Sequence, residues 1–179
     1  MKVEQQYTMK EICRSCAEQS DELMTAGVDA LRSFVDGLPP QYALLGIQLT
    51  WTQYSIDAFE KSRTQKNAVS ELVVQQTTLL TEMSSWCLEE IPTKMQRTKY
   101  ETLITIQVHQ RDVLGDINIL HKQRKFGGIT DFEWLKQARF KWNPNAEDEI
   151  DDDGAMIISC TDVDFNYMFE YLGCKGRLV

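Results

Sequence analysis

The heptapeptide Thr102-Leu103-Ile104-Thr105-Ile106-Gln107-Val108 (TLITIQV) decides the fold class of this chain. Five of its seven residues are β-branched, and read alone it has the propensity of a strand. Read with its neighbours it joins a longer series: Tyr100, Leu103, Ile104, Val113 or Leu114, Ile117 and Leu120. That series recurs every three to four residues, which is the helical period. A helix that is apolar on most sides is a buried helix. The spacing therefore predicts one long helix from Thr93 to about Lys122 and a mainly α chain.

Upstream, the same period predicts three further helices. One runs from about Ala68 to Glu90, with Val69, Leu72, Val73, Leu79, Leu80, Met83 and Trp86 or Cys87 as its stripe, and stops before Pro92. Another covers Tyr42 to Lys61, with Leu44, Ile47, Trp51, Tyr54 and Ala58 on one face. The first extends from roughly Tyr7 to Val35 through Met9, Ile12, Cys16, Leu23, Leu31 and Phe34, although Gly27 weakens it. DGLPP (Asp36 to Pro40) and SRTQKN (Ser62 to Asn67) separate them.

Downstream, KFGG breaks the long helix. TDFEWLKQARFKW (Thr130 to Trp142) then reads as a short helix opened by a capping box, Thr130 with Glu133. After Trp142 the chemistry changes. NPNAEDEIDDDG (143–154) is a loop, AMIISC (Ala155 to Cys160) a short apolar strand, and Val163 to Leu172 a second strand. In the latter Val163, Phe165, Tyr167, Phe169 and Tyr171 alternate with Asp164, Asn166, Met168 and Glu170, a period of two. The two strands form a β-hairpin, which is marginal alone in water and needs a surface to pack on. The expected architecture is an elongated helical bundle or rod of about five helices (1–142), an acidic loop (143–154) and a C-terminal β-hairpin with its junction (155–179).

Composition narrows the function. In 179 residues, 42% are hydrophobic and 26% charged, as in ordinary folded domains. The net charge is −8, and six of the acids sit in EDEIDDD, Glu147 to Asp153. The rest is nearly neutral, so no basic field invites nucleic acid. No run of 18 apolar residues is present, so no helical membrane span is expected. The five cysteines are an odd number, and CRSC (Cys13, Cys16) lacks a second ligand pair for zinc, His109 and His121 lying far away. Reduced thiols and the absence of an apolar leader point to the cytosol.

Catalytic motifs fail one by one. No stretch matches G-x-x-x-x-G-K-[ST]. VHQRD (Val108 to Asp112) carries an extra Gln110 relative to a kinase catalytic loop and sits in a helical pattern. Aligning Gly154 with the glycine of a calcium loop places Cys160 where a bidentate glutamate is needed. Trp51, Trp86, Trp134 and Trp142 fall on or beside apolar faces and read as core anchors. The residues alone describe a mostly helical mechanical or interaction module, not an enzyme. One such reading is a stand-alone, truncated helical scaffold that binds a protein through its hairpin edge.

Three stretches in order, KYETLITIQVHQRDVLGDI (99–117), TDFEWLKQARFKW (130–142) and CTDVDFNYMFEYLGCKGRLV (160–179), resemble the dynein heavy chains, in their axonemal outer-arm form. LLGIQLTWT (Leu44 to Thr52) fits the same family. The resemblance covers roughly Leu38 to Val179 and is to the C-terminal part of the linker domain and its junction with the first AAA+ module. It implies a mechanical element of a microtubule motor of cilia and flagella, working in the cytoplasm and the axonemal cytoskeleton. It also implies contact with the AAA+ ring of the same heavy chain through Phe165, Tyr167, Phe169, Tyr171, Leu172, Gly173 and Arg177. Leu178 and Val179 match the start of a loop that packs on the adenine of ATP. By the resemblance, ATP and Mg belong to the full-length protein, as do dynein intermediate and light chains and microtubules as partners. Substituting Phe169→Asp is then expected to uncouple hydrolysis from movement while leaving the helices folded.

Overall fold

The computed structural model describes residues 2–18, 28–89, 93–147 and 154–170. The fold is mainly helical. Among the described residues six helices are present: α1 (Lys2–Glu18), α2 (Val28–Gly37), α3 (Pro40–Lys61), α4 (Ala68–Trp86), α5 (Lys94–Lys122) and the one-turn α6 (Phe132–Leu135). A 3₁₀ turn, Gly128–Thr130, precedes α6, and three strands follow: β1 (Arg139–Asn143), β2 (Ala155–Cys160) and β3 (Val163–Asn166).

TLITIQV is helical, inside the 29-residue α5. Local β propensity yields here to burial. Tyr100, Leu103, Leu114 and Ile117 are all buried on one side of α5, against α4 and α3. Thr93 starts the helix, its hydroxyl accepting the Gln96 N–H at 3.1 Å. Pro39 and Pro40 set the entry to α3, where a missing N–H costs nothing in the first turn. Residues 19–27, with Leu23 and Gly27, and residues 90–92, with Pro92, lie outside the described residues. So does most of the acidic run, 148–153.

Two expectations are corrected. The short helix does not begin at Thr130, which closes the 3₁₀ turn. Asp131 caps instead: one carboxylate oxygen accepts Glu133 N–H at 2.9 Å and the other Gly127 N–H at 2.7 Å. An ionised carboxylate accepts two backbone donors where a threonine hydroxyl accepts one. Nor does that helix reach Trp142. Arg139–Asn143 is a strand that pairs antiparallel with β2, Arg139 opposite Ser159 and Asn143 opposite Ala155. The hairpin of β2 and β3 is thus the second half of a three-stranded sheet in the order β1-β2-β3.

The core forms three clusters, and α3 contributes to each. Tyr42, Leu45 and Leu49 meet Met9 and Cys13 of α1 and Met156 of β2. Ala43 and Ile47 meet Leu31 and Val35 of α2, Met83 and Trp86 of α4, and Tyr100 of α5. Trp51, Ala58 and Phe59 meet Val69 and Leu72 of α4, Leu114 of α5 and Trp134 of α6. Trp51 and Phe59 each face Trp134, with ring centroids at 5.3 and 5.1 Å.

A polar clasp fixes the end of α2. Lys99 of α5 is 8% exposed, yet its ammonium donates to the Val35 carbonyl at 2.7 Å and the Leu38 carbonyl at 3.1 Å. Among the described residues the Val35 carbonyl otherwise takes only the Leu38 N–H at 3.4 Å, and both carbonyls lie at the negative end of the α2 dipole. Beside it, Tyr100 Oη donates to Asp36 at 2.5 Å, and Arg32 forks onto Glu89 at 2.7 and 3.0 Å while lying over Trp86.

Candidate functional site

The residues assigned to the junction fall into three groups. Phe165 is exposed on β3, at 56%, as is Val163 of the same strand, at 47%, which the resemblance does not assign to the junction. Tyr167 and Phe169 turn inward onto the helices. Tyr171, Leu172, Gly173, Arg177, Leu178 and Val179 lie outside the described residues.

The expected strand from Val163 to Leu172 stops at Asn166. One more ladder bond follows, Tyr167 N–H to the Met156 carbonyl at 2.8 Å. Then Phe169 adopts φ +50°. That left-handed backbone ends the extended run, so Tyr167 and Phe169 do not stand as strand neighbours, though both face inward where Phe165 is exposed. Their rings meet edge to face instead, with centroids at 5.3 Å and an interplanar angle of 85°.

Phe169 is fully buried, in the cluster of Met9, Cys13, Tyr42 and Met156. Its side chain is therefore part of this chain's own core, not of an outward face. A carboxylate at that position would be buried without a partner. Phe169→Asp is therefore expected to disturb this core as well as any contact beyond it.

Residues 167–170 thus form a strap across α1 and α3. The Gln41 side-chain amide, in the first turn of α3, donates to Tyr167 Oη and to the Glu170 carbonyl, both at 2.8 Å. The Gln6 amide of α1 donates to the Met168 carbonyl at 3.4 Å. Tyr42 Oη donates to the Gln5 carbonyl at 3.2 Å and ties α1 to α3 beneath. Burial pushes the Tyr167 phenol above its ordinary pKa, while the Gln41 hydrogen bond acts in the opposite sense.

The other side of the sheet is anchored as firmly. Phe140 N–H of β1 donates to the Thr52 hydroxyl of α3 at 3.1 Å, and that hydroxyl donates to the Gln48 carbonyl at 3.0 Å. Arg139, 5% exposed, donates to the Thr161 carbonyl at 2.8 Å, and Thr161 N–H reaches the Leu135 carbonyl at 2.7 Å. Burial lowers the pKa of Arg139, with Asp164 opposing. Gly154 enters β2 at φ +103°, and a Cβ there would lie 2.7 Å from the Trp142 ring. Only glycine meets both demands.

What this arrangement offers is packing and hydrogen bonding rather than acid–base or nucleophilic chemistry. Cys13 and Cys16 are buried in α1, and burial pushes the Cys16 thiol up to about 11 and Cys13 higher still. Both are protonated and weak nucleophiles near neutral pH. The VHQRD residues lie within α5, where Arg111 pairs with its neighbour Asp112 at 2.7 Å. Among the described residues no three His, Cys, Asp or Glu side chains are grouped to hold a metal. No helix among them is long and apolar enough to cross a membrane.

Sequence reasoning passed over Gln41, Thr52, Lys99 and Arg139. Arg139 had a signal: Arg-Phe-Lys-Trp (139–142) alternates with period two, as a strand does. Gln41, Thr52 and Lys99 had none, because their partners are backbone groups or residues distant in the chain.

Comparison with known proteins places this architecture in a class. No protein-family model matches the chain. It is 38% identical over 172 residues, 96% of its length, to the flagellar outer-arm dynein gamma chain of Chlamydomonas reinhardtii. It is 40% identical over 153 residues, 83% of its length, to axonemal dynein heavy chain 5 of Mus musculus. Against the cytoplasmic dynein heavy chain of Dictyostelium discoideum it is 32% identical over 150 residues, 82% of its length. Over most of its length, then, the chain carries dynein heavy-chain sequence. Its sequence is of the axonemal type, with the outer-arm gamma chain among its relatives. The chain spans 3–4% of the length of these relatives.

Proposed function

We propose that this segment is the C-terminal part of a dynein linker, a stiff mechanical element that couples ATP-driven changes in the AAA+ ring of the same heavy chain to the microtubule-based movement of cilia or flagella. The observation that carries the reading is the strap. Residues 167–170 leave the sheet and are fixed to α1 and α3 by the Gln41 and Gln6 amides and the buried Phe169 ring. A displacement entering from the C-terminal side is therefore delivered to two helices at once, through short hydrogen bonds and a packed ring. Coupling through such an element needs two discrete arrangements of one packed interface, biased by the ligand state of another module.

In this reading Tyr171, Leu172, Gly173 and Arg177 make the junction with the first AAA+ module, together with the exposed Val163 and Phe165. Leu178 and Val179 begin the loop beside the adenine of ATP, and hydrolysis of Mg-bound ATP belongs to that module. Intermediate and light chains and microtubules are partners of the whole heavy chain, in the axoneme. The test uses a complete axonemal outer-arm heavy chain carrying the equivalent of Gln41→Leu, which removes the two strap hydrogen bonds that this half-buried residue donates. Microtubule gliding velocity is expected to fall several-fold with ATP turnover retained. Unchanged velocity in a folded motor would remove the strap from the transmission path.

A further inference from the structure

We propose that the strap is one of two arrangements of the same residues. In the other, Phe169 leaves its left-handed backbone, residues 167–169 continue β3 beside β2, and the strap lifts from α1 and α3. Sequence, backbone and register converge on this at the end of β3. Val163, Phe165, Tyr167 and Phe169 alternate with Asp164, Asn166 and Met168 without a break, so the strand pattern runs on past the strand's end at Asn166. Phe169 stands at φ +50°, a region that a bulky residue rarely adopts and that only its surroundings hold. β2 and β3 pair Ile157 with Asn166 and Ile158 with Phe165, and the bond from Tyr167 N–H to the Met156 carbonyl at 2.8 Å keeps that register for one residue more.

Continued in the same register, Met168 comes opposite Ala155 and Phe169 opposite Gly154. An antiparallel ladder alternates between pairs that exchange hydrogen bonds and pairs that do not. Tyr167 bonds to β2, so Phe169 is the next residue whose N–H and carbonyl turn to β2, where they meet those of Gly154. Gly154 stands at φ +103°, and glycine passes between φ regions without the penalty of a Cβ. The Trp142 ring lies where that Cβ would be, so the Phe169 ring exchanges the cluster of Met9, Cys13, Tyr42 and Met156 for contact with Trp142. The exchange relieves the left-handed backbone and adds ladder bonds. It gives up the buried ring, the Gln41 bond to the Glu170 carbonyl and the Gln6 bond to the Met168 carbonyl. Packed elements with such opposed terms switch between discrete states rather than deform continuously. The strap is the major arrangement and the extended one a minor population, roughly 0.1–10%. That the exchange serves transmission rests on the linker reading above; the exchange itself stands on the geometry of this chain.

The experiment is NMR on the intact 179-residue chain, as wild type and as two variants that weaken the strap by different means. Gln41→Leu removes its hydrogen bonds to residues 167 and 170. Phe169→Ile keeps an apolar side chain but is β-branched and resists the left-handed region. A pair that exchanges no hydrogen bonds brings its two Hα atoms together, so an Hα–Hα NOE between Met168 and Ala155 is expected to appear in at least one variant. With it, the Cα shift of residue 169 should move from the left-handed to the extended range, and the Gly154 N–H should become protected from exchange. Coil shifts at 167–170 without that NOE, or a residue 169 that keeps its left-handed shift, in both variants, would overturn the proposal. Gliding velocity in the complete heavy chain tests the linker reading separately, so the two can fail independently.

Discussion

Replacing Phe169 gives the sharpest test of how the strap is built, because two opposite effects act at one residue. The ring is fully buried, so Phe169→Ala removes its burial and leaves a cavity, a loss of about 3–5 kcal/mol for such sites. The edge-to-face contact with Tyr167 accounts for about 0.5–1.5 kcal/mol of that. The backbone works the other way. At φ +50° a residue with a Cβ carries about 1 kcal/mol of strain, which glycine does not. Phe169→Gly should therefore lose no more than alanine, about 2.5–5 kcal/mol, because the relief of about 1 kcal/mol offsets the roughly 0.5–1 kcal/mol by which glycine is ordinarily the worse of the two. Urea unfolding followed by circular dichroism measures both. With a slope of about 1–3 kcal/mol per molar, the alanine midpoint should fall by about 1 M or more, and the glycine midpoint by no more than that. A loss below about 1 kcal/mol for alanine would refute the burial of the ring. Alanine above glycine would refute the left-handed backbone.

Other perturbations follow from the same geometry. Lys99→Met removes two charge-assisted bonds to the end of α2 and should cost about 2 kcal/mol in thermal or denaturant unfolding. Burial lowers the folded-state pKa of Lys99 below its ordinary 10.5, with Asp36 opposing. The burial penalty on the charged form is then full below the folded pKa and fades as pH rises towards 10.5, so wild type should gain on Lys99→Met between neutral and alkaline pH. A flat difference across that range would contradict the burial. Gly154→Ala meets both the Trp142 ring and a forbidden φ, and should cost about 2–3 kcal/mol, lowering Tm by several degrees in a scanning experiment. Thr52→Val leaves the Phe140 N–H without its acceptor; a loss of about 1–3 kcal/mol and faster hydrogen exchange at Phe140 are expected, against no change at Phe59.

The helices were legible because burial and period agree over many turns. In α3, α4 and α5 the apolar stripe predicts the elements to within a few residues, even across TLITIQV, where local propensity points elsewhere. Where a segment is short the two signals separate. Phe132–Leu135 offers a single turn, too little for periodicity to register, and its cap is decided by which oxygen reaches two N–H groups. β1 was missed although Arg-Phe-Lys-Trp alternates with period two, because four residues are too few to set that period against the helix that precedes them. The strap was half legible. Alternation marks Val163 to Asn166 correctly, but no pattern of residue types announces a left-handed phenylalanine, which is held by its surroundings. The family resemblance rested on long ordered motifs and held.

The place of α3 among the three clusters has a consequence for how the molecule comes apart. Its inward residues point to three sides, Tyr42 and Leu45 to one cluster, Ala43 and Ile47 to the next, Trp51 and Phe59 to the last. A helix with one buried stripe can fray or lift away while its neighbours stay paired. One enclosed all round has no such partial route, because each turn that opens exposes a different cluster. The amides in the middle of α3 should therefore be the last to exchange with solvent, and only through global unfolding. Under load the central helix would hold as a single cooperative unit.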